Sequence, residues 1–177
     1  MALLIAACTP AVTVAPSAST PSGDPSSSAF LHTRQDCTID GPCLGTIRLM
    51  IAGGPRAGRY VAAWVVHGIC ARNAFGPNTF EMESGVLVDH HGLFGVLAYV
   101  LDAKAAALGT DKKFKVLIEF KSATDSLSMS PGQDTPLGSG VVTLADRGTT
   151  ASIHAKGTLE DGSTGTVDVE CLSVTDV

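Results

Sequence analysis

A chain of 177 residues is the size of one large domain, so a single hydrophobic core is expected. Charged residues make up only 16% of the chain and the formal net charge is -5, which excludes a protein that binds nucleic acid through a basic surface. Nineteen glycines and nine prolines, with few aromatic residues, favour short β-strands joined by turns over a helical bundle.

The chain begins with an apolar segment that ends at a cysteine. The stretch Leu3-Leu4-Ile5 is followed by two small residues, Ala6 and Ala7, and then by Cys8. This order resembles the lipobox of bacterial lipoprotein precursors, which implies cleavage before Cys8, a diacylglyceryl group on its sulfur and an acyl chain such as palmitate on its amine. Because no basic residue precedes the short apolar stretch, we interpret residues 1–8 as a truncated signal. A start inside a longer reading frame and an ordinary apolar N-terminus are the alternatives.

The next segment, residues 9–30, is rich in proline, serine and threonine and almost without charge. Such a composition cannot bury enough apolar surface to offset the entropy lost on ordering. We therefore predict a disordered tether that holds a folded domain, residues 31–177, away from a membrane surface. Its hydroxyl residues are candidate glycosylation sites, an unmodified tail being the alternative. The longest apolar run, residues 93–101, is shorter than the about 20 residues of a membrane-spanning helix, so no such span is predicted.

Alternating apolar residues predict strands in the first half of the folded region, over residues 45–51, 60–70 and 80–88. Residues 53–58 read as the glycine-rich turn of a hairpin. The following segment, residues 93–108, is rich in helix formers and ends before Gly109, so we predict an apolar helix there.

The second half of the domain predicts a meander of strands after one long loop. The clearest alternation in the chain covers residues 113–121, and residues 122–140 are polar and turn-rich, which predicts a loop. Three further strands are predicted over residues 141–144, 150–156 and 164–172. The expected fold is α+β and mainly antiparallel β, with six to eight short strands in a sandwich-like arrangement or a single curved sheet, and one helix near 93–108.

The cysteine count fits an exported protein. Of five cysteines, setting Cys8 aside for lipid leaves four, an even number that suggests disulfides, at Cys37, Cys43, Cys70 and Cys171. Four cysteines allow three connectivities. No CxxC pair and no histidine at ligand spacing accompany them, so no metal site is predicted.

Strand geometry favours one of these connectivities. In the strands predicted over 60–70 and 164–172, Cys70 and Cys171 both fall on the apolar side, so both sulfurs are expected to point into the core. The turn signal between Cys37 and Cys43 makes a small disulfide-closed loop reasonable.

The C-terminal stretch, residues 141–173, contains a strand, the turn Asp146-Arg147-Gly148, a second strand ending in Gly157-Thr158 and a final strand ending in Cys171. It is similar to the C-terminal end of the small surface-lipoprotein antigens of mycobacteria, the nineteen-kilodalton antigen family. The resemblance implies a triacylated, often glycosylated antigen on the extracytoplasmic face of the cell membrane. It also implies a cysteine bridge like Cys70–Cys171 and sensing of the lipid by host toll-like receptors.

Residues that could perform chemistry do not assemble into a convincing motif. The sharpest cluster is Asp89-His90-His91, which could bind a metal or titrate near neutral pH. Adjacent residues on a strand point in opposite directions, so an exposed turn is the simpler interpretation. Glu81 and Glu83 share one strand face and cannot supply the opposed carboxylates of a glycosidase. We therefore assign no catalytic, cofactor or metal residues.

Three functions follow from these patterns. The first is a lipid-anchored envelope protein, held at Cys8, that acts by surface display or interaction, with host pattern receptors as partners through the lipid. The alternative is a carrier of apolar ligands, with a pocket beside Leu97, Val100 and Leu101 on the predicted helix. The third is a secreted hydrolase that would need His90 or His91 to converge with carboxylates such as Asp89 or Glu83.

Overall fold

A computed structural model describes residue 37 and residues 42–88, 92–132 and 136–177, which form two six-stranded sheets and one helix. The strands of the first sheet are β1 (Gly45–Ala52), β2 (Gly58–Trp64), β5 (Leu87–Val88), β9 (Ser139–Asp146), β10 (Ala151–Thr158) and β11 (Thr164–Cys171). Their order across the sheet is β5-β2-β1-β11-β10-β9.

The strands of the second sheet are β3 (Ile69–Arg72), β4 (Phe80–Glu83), β6 (Leu93–Val100), β7 (Phe114–Phe120), β8 (Ser122–Met129) and β12 (Thr175–Asp176). Their order across the sheet is β12-β3-β4-β6-β7-β8, and the sheet is antiparallel apart from the β12–β3 pair. The helix α1 (Ala103–Ala107) connects β6 to β7.

The two sheets share one hydrophobic core. On β1, Ile47, Leu49 and Ile51 are buried and alternate with more exposed residues. They belong to the same cluster of buried side chains as Phe80 and Ile118 of the second sheet. The alternation follows because successive side chains of a strand point to opposite faces. The inner faces of both sheets therefore pack together as a sandwich.

The predicted fold class is confirmed: the described residues are mainly antiparallel β with one short helix. The strand count is not, because the described residues form twelve strands instead of six to eight. Two predicted strands are each divided between the sheets. The strand predicted over 60–70 becomes β2 and β3, and the one predicted over 80–88 becomes β4 and β5.

Both divisions occur at one corner of the sandwich, where the chain crosses between sheets twice. Backbone hydrogen bonds join the crossings, from Val86 N to Val66 O at 3.0 Å and from Val65 N to Val86 O at 3.2 Å. A Cβ atom on Gly85 would lie 1.7 Å from Val66 O, so a side chain there would collide with the other crossing. Glycine at position 85 therefore permits the close approach of two backbones.

The helix predicted over 93–108 is wrong over most of its length, since residues 93–100 form the strand β6. Its apolar run lies between β4 and β7, and a strand in the middle of a sheet can be as uniformly apolar as a buried helix. Only the alanine-rich part after Asp102 is helical. Asp102 accepts a hydrogen bond from Ala105 N at 3.0 Å as an N-cap, and Gly109, with φ 67°, follows the helix as predicted. Within the described ranges no helix is long and apolar enough to cross a membrane.

The loop predicted over 122–140 is also wrong in its first part, because Ser122–Met129 is the edge strand β8. Its serine-rich sequence is typical of a loop, although the segment forms a strand at the edge of the sheet. The edge is blocked at Ser128, whose N–H donates to Glu160 Oε1 at 3.1 Å and whose carbonyl accepts from Glu160 N at 2.9 Å. The backbone groups of Ser128 are therefore not available for pairing with another chain.

Polar contacts fasten the two sheets at their ends. At one end Arg72 of β3 forms a bidentate pair with Asp146 of β9, with Nη2 and Oδ1 2.6 Å apart. At the hairpin between β1 and β2, Arg56 pairs with Asp125 and lies 4.7 Å above the ring of Phe120. Each ion pair connects one sheet with the other, so charged side chains as well as the hydrophobic core hold the two sheets together.

Candidate functional site

The cysteines pair as the strand pattern predicted. Cys70 of β3 and Cys171 of β11 form a disulfide with a Cα–Cα distance of 6.2 Å, and both residues are buried. Because β3 and β11 belong to different sheets, this bridge fastens the sandwich through its core. Cys37 and Cys43 form the second disulfide, with a Cα–Cα distance of 5.6 Å. The lipidation site predicted at Cys8, with the segments 1–8 and 9–30, lies outside the described residues.

The three residues predicted to surround an apolar ligand do not share a surface. Because residues 93–100 form a strand, Leu97 points to the outer side of the second sheet while Val100 is buried in the core. Leu101 follows the strand and is 43% exposed. The prediction assumed a helix, on which these positions would have been neighbours.

Leu97 nevertheless lines a cleft of about 430 Å³ on the outer side of the second sheet. Phe94, on the bulge between Leu93 and Gly95, is 53% exposed beside it, and Val86 is 45% exposed. We call this surface the acidic cleft because two glutamates join these apolar residues. Its main lining residues are His67, Glu83, Val86, Phe94, Leu97 and Glu119.

The register of the second sheet gathers three carboxylates near this cleft. Glu83 is the register partner of Leu97, Glu81 that of Tyr99, and Glu119 that of Gly95. Burial raises the pKa of Glu81, and repulsion by Glu83 adds to the rise. Burial also raises the pKa of the Tyr99 phenol, and all three glutamates contribute to it. Three carboxylates therefore lie close enough together for their charges to act on the same phenol.

The position of the Glu119 carboxylate depends on glycine at position 95. A Cβ atom on Gly95 would lie 2.8 Å from Glu119 Oε2, so glycine leaves the space that the Glu119 carboxylate occupies. In the part of the chain that the structure describes, Glu81, Glu83 and Glu119 form no ion pair with a cation. Lys115, the register partner of Tyr99, brings one positive charge to the same face.

The outer side of the first sheet carries a second cleft, of about 460 Å³. Asp168 of β11 lies between Arg48 of β1 and His154 of β10 in the register. Its Oδ1 atom is 2.6 Å from His154 Nδ1. Burial lowers the pKa of Arg48, and repulsion by Arg59 lowers it further.

This histidine and carboxylate pair does not form a catalytic triad with the Thr143 hydroxyl. The Thr143 hydroxyl, which lines the same cleft, is 3.5 Å from the backbone oxygen of His154 and is directed there instead of to the ring. No group of three or more His, Cys, Asp or Glu side chains among the described residues could hold a metal. The cluster Asp89-His90-His91 lies outside the described residues.

No family model, no curated protein and no solved structure matches the chain. The similarity of residues 141–173 to the mycobacterial surface-lipoprotein antigens stays a prediction. The architecture and the two clefts are properties of this chain's own residues.

Proposed function

We propose that the protein is a lipid-anchored protein of the cell envelope, whose sandwich domain acts by display or interaction on the extracytoplasmic face of the cell membrane. One observation carries the proposal: two disulfides occupy four of the five cysteines, Cys70 with Cys171 and Cys37 with Cys43. Disulfides persist in exported proteins and are rare in the reducing cytosol. The fifth cysteine, Cys8, is the one that the lipobox resemblance assigns to lipid.

The anchor itself is supported by the sequence around Cys8. Two small residues precede it and a segment rich in proline, serine and threonine follows it. One acyl chain gives only marginal membrane binding, whereas a diacylglyceryl group with an added acyl chain gives a stable anchor. The same lipid is the group that host toll-like receptors would sense, as the resemblance to the mycobacterial antigens implies.

Exposed apolar side chains support an interaction role for the folded domain. Met50 on the first sheet is 58% exposed, Phe94 on the second sheet is 53% exposed, and Phe75 in the turn between β3 and β4 is 56% exposed. Apolar side chains grouped on a surface and bordered by charged residues are typical of protein interaction sites. Here they occur on the outer sides of both sheets.

Fractionation of cells tests the anchor. Full-length protein and its Cys8→Ser variant are expressed in an actinobacterial host, and membrane and soluble fractions are compared by immunoblot. We expect the wild type in the membrane fraction and the variant outside it. The matched control, Cys37→Ser with Cys43→Ser, removes two other cysteines together with their disulfide and should stay in the membrane fraction. A Cys8→Ser variant that remains membrane-bound would refute the proposal.

A carrier of apolar ligands is the second candidate, and the acidic cleft favours it. Leu97 and the exposed Phe94 line this cleft, whereas the described interior of the sandwich is filled with buried side chains. A ligand would therefore lie on the surface of the second sheet. Mass spectrometry of lipids extracted from purified protein tests this function, with Phe94→Ser expected to lose the bound species. A purified protein that carries no lipid would dismiss it.

A further inference from the structure

The outer side of the first sheet carries a row of residues that complements the acidic cleft. Met50 is the register partner of Arg59 on one side and of Thr166 on the other. Lys156 is the register partner of Thr166 and of Val141. The row therefore runs across five strands in the order cation, apolar, polar, cation, apolar. We call it the basic row.

The side chains of the basic row are available for contact. Arg59 and Lys156 are exposed, Met50 is 58% exposed and Val141 is 45% exposed. In the described part of the chain, neither Arg59 nor Lys156 forms an ion pair. Burial lowers the pKa of the neighbouring Arg48, the positive charge of Arg59 lowers it further, and Asp168 and Glu170 raise it.

We infer that the acidic cleft of one molecule binds the basic row of a second copy of this chain. In the basic row Arg59 lies on the strand next to Met50, and in the cleft Glu83 lies on the strand next to Leu97. Neighbouring strands are about 5 Å apart in both sheets, so a cation can meet a carboxylate while apolar side chains meet beside them. The pairing removes apolar surface from water and places opposite charges together.

The two surfaces lie on opposite sides of the sandwich, which determines the kind of assembly. An interface between two different surfaces is head-to-tail and leaves one free surface of each kind at the ends. The basic row takes one residue from each of five strands that lie about 5 Å apart, so it is about 20 Å long and buries less surface than a stable interface does. The association is therefore weak, and it grows with local concentration, as on a membrane surface.

This inference deepens the proposed function, since it names a partner for a domain that acts by interaction, but it does not depend on the lipid. The test uses the full chain with Cys8→Ser, so that acyl chains cannot drive association. Sedimentation velocity over a range of concentrations should show growing oligomers at low salt. At about 1 M salt, where the Debye length is about 3 Å, we expect monomers.

Two complementary variants make the test specific. Variant A carries Glu83→Gln and Glu119→Gln, which neutralise the acidic cleft, and variant B carries Arg59→Gln and Lys156→Gln, which neutralise the basic row. Each substitution should weaken association by about two- to fivefold, so each variant alone should remain monomeric where the parent chain associates. A mixture of A and B should form a one-to-one dimer and nothing larger, because A keeps its basic row and B keeps its acidic cleft.

Control variants and alternative outcomes complete the experiment. Lys104→Gln on the helix and Asp176→Asn on β12 change exposed charges elsewhere and should associate like the parent chain. Near-ultraviolet circular dichroism must show that variants A and B are folded. The inference is overturned if the parent chain stays monomeric at low salt, if association ignores salt, or if folded A and B fail to combine. A monomeric chain that binds a synthetic peptide of alternating lysine and leucine would instead assign the cleft to another cationic partner.

Discussion

Removal of the disulfide between the sheets should destabilise the domain far more than removal of the short one. Cys70 and Cys171 are separated by 101 residues, and the chain entropy of a loop of this length corresponds to about 4.7 kcal/mol at 25 °C. Cys37 and Cys43 are separated by 6 residues, which corresponds to about 2 kcal/mol. The double variants Cys70→Ala with Cys171→Ala, and Cys37→Ala with Cys43→Ala, should differ by about 2 to 3 kcal/mol in free energy of unfolding.

The chain contains its own probe for this measurement. Trp64 is the single tryptophan, it is 1% exposed, and it lines the same small cavity as Cys70. Its fluorescence should therefore follow urea unfolding of the sandwich. With a urea dependence of about 2 kcal/mol per molar, the long-bridge variant should lose about 2 M in midpoint, and the short-bridge variant about 1 M. Equal losses, or a smaller loss for the long-bridge variant, would refute the chain-entropy reasoning.

Two further predictions concern packing and pH. A Cβ atom on Gly45 would lie 1.9 Å from the Trp64 ring, so Gly45→Ala should lower the free energy of unfolding by about 3 kcal/mol. A Cβ atom on Gly58 would lie 3.5 Å from the Tyr60 ring, which is ordinary contact, so Gly58→Ala should change that free energy by less than about 0.5 kcal/mol. Similar urea midpoints for the two variants would contradict this packing. The hydrogen bond from Arg72 lowers the pKa of Asp146 in the folded protein. The Asp146 carboxylate therefore stabilises the fold at pH values above its unfolded pKa of about 3.9. This stabilisation is lost as the pH falls through the lower pKa of the folded state. Between about pH 5 and 2, the melting temperature should fall less steeply for Asp146→Asn than for the wild type. Parallel profiles of melting temperature against pH would contradict this role of Asp146.

Alternation predicted well those strands that have one buried and one exposed face. The pattern of residues 113–121 became β7, and the pattern of 164–172 became β11. It failed at residues 93–100, where outward positions such as Phe94 and Leu97 are apolar as well, so that the run has the composition of a buried helix. It also failed at β8, because the buried residues Leu127 and Met129 come at the end of a serine-rich stretch. Backbone pairing with β7 makes this stretch a strand. Propensity is local, whereas these strands are determined by pairing with distant residues.

The site shows the same limit. The shared face of Glu81 and Glu83 could be predicted from their spacing, as could the burial of Cys70 and Cys171. The position of Glu119 beside them could not, because it depends on β6 lying between β4 and β7. Strand order is set by non-local contacts that one sequence does not reveal, so the acidic cleft became visible only with the fold.

The most direct test of the lipid anchor is the intact mass of the protein extracted from membranes of an expressing actinobacterium. The account predicts a chain that begins at Cys8, with the mass of a diacylglyceryl group and an amide-linked acyl chain added to it. Fragmentation should place both additions on that residue. A chain that retains Met1 or carries an unmodified Cys8 would contradict the account.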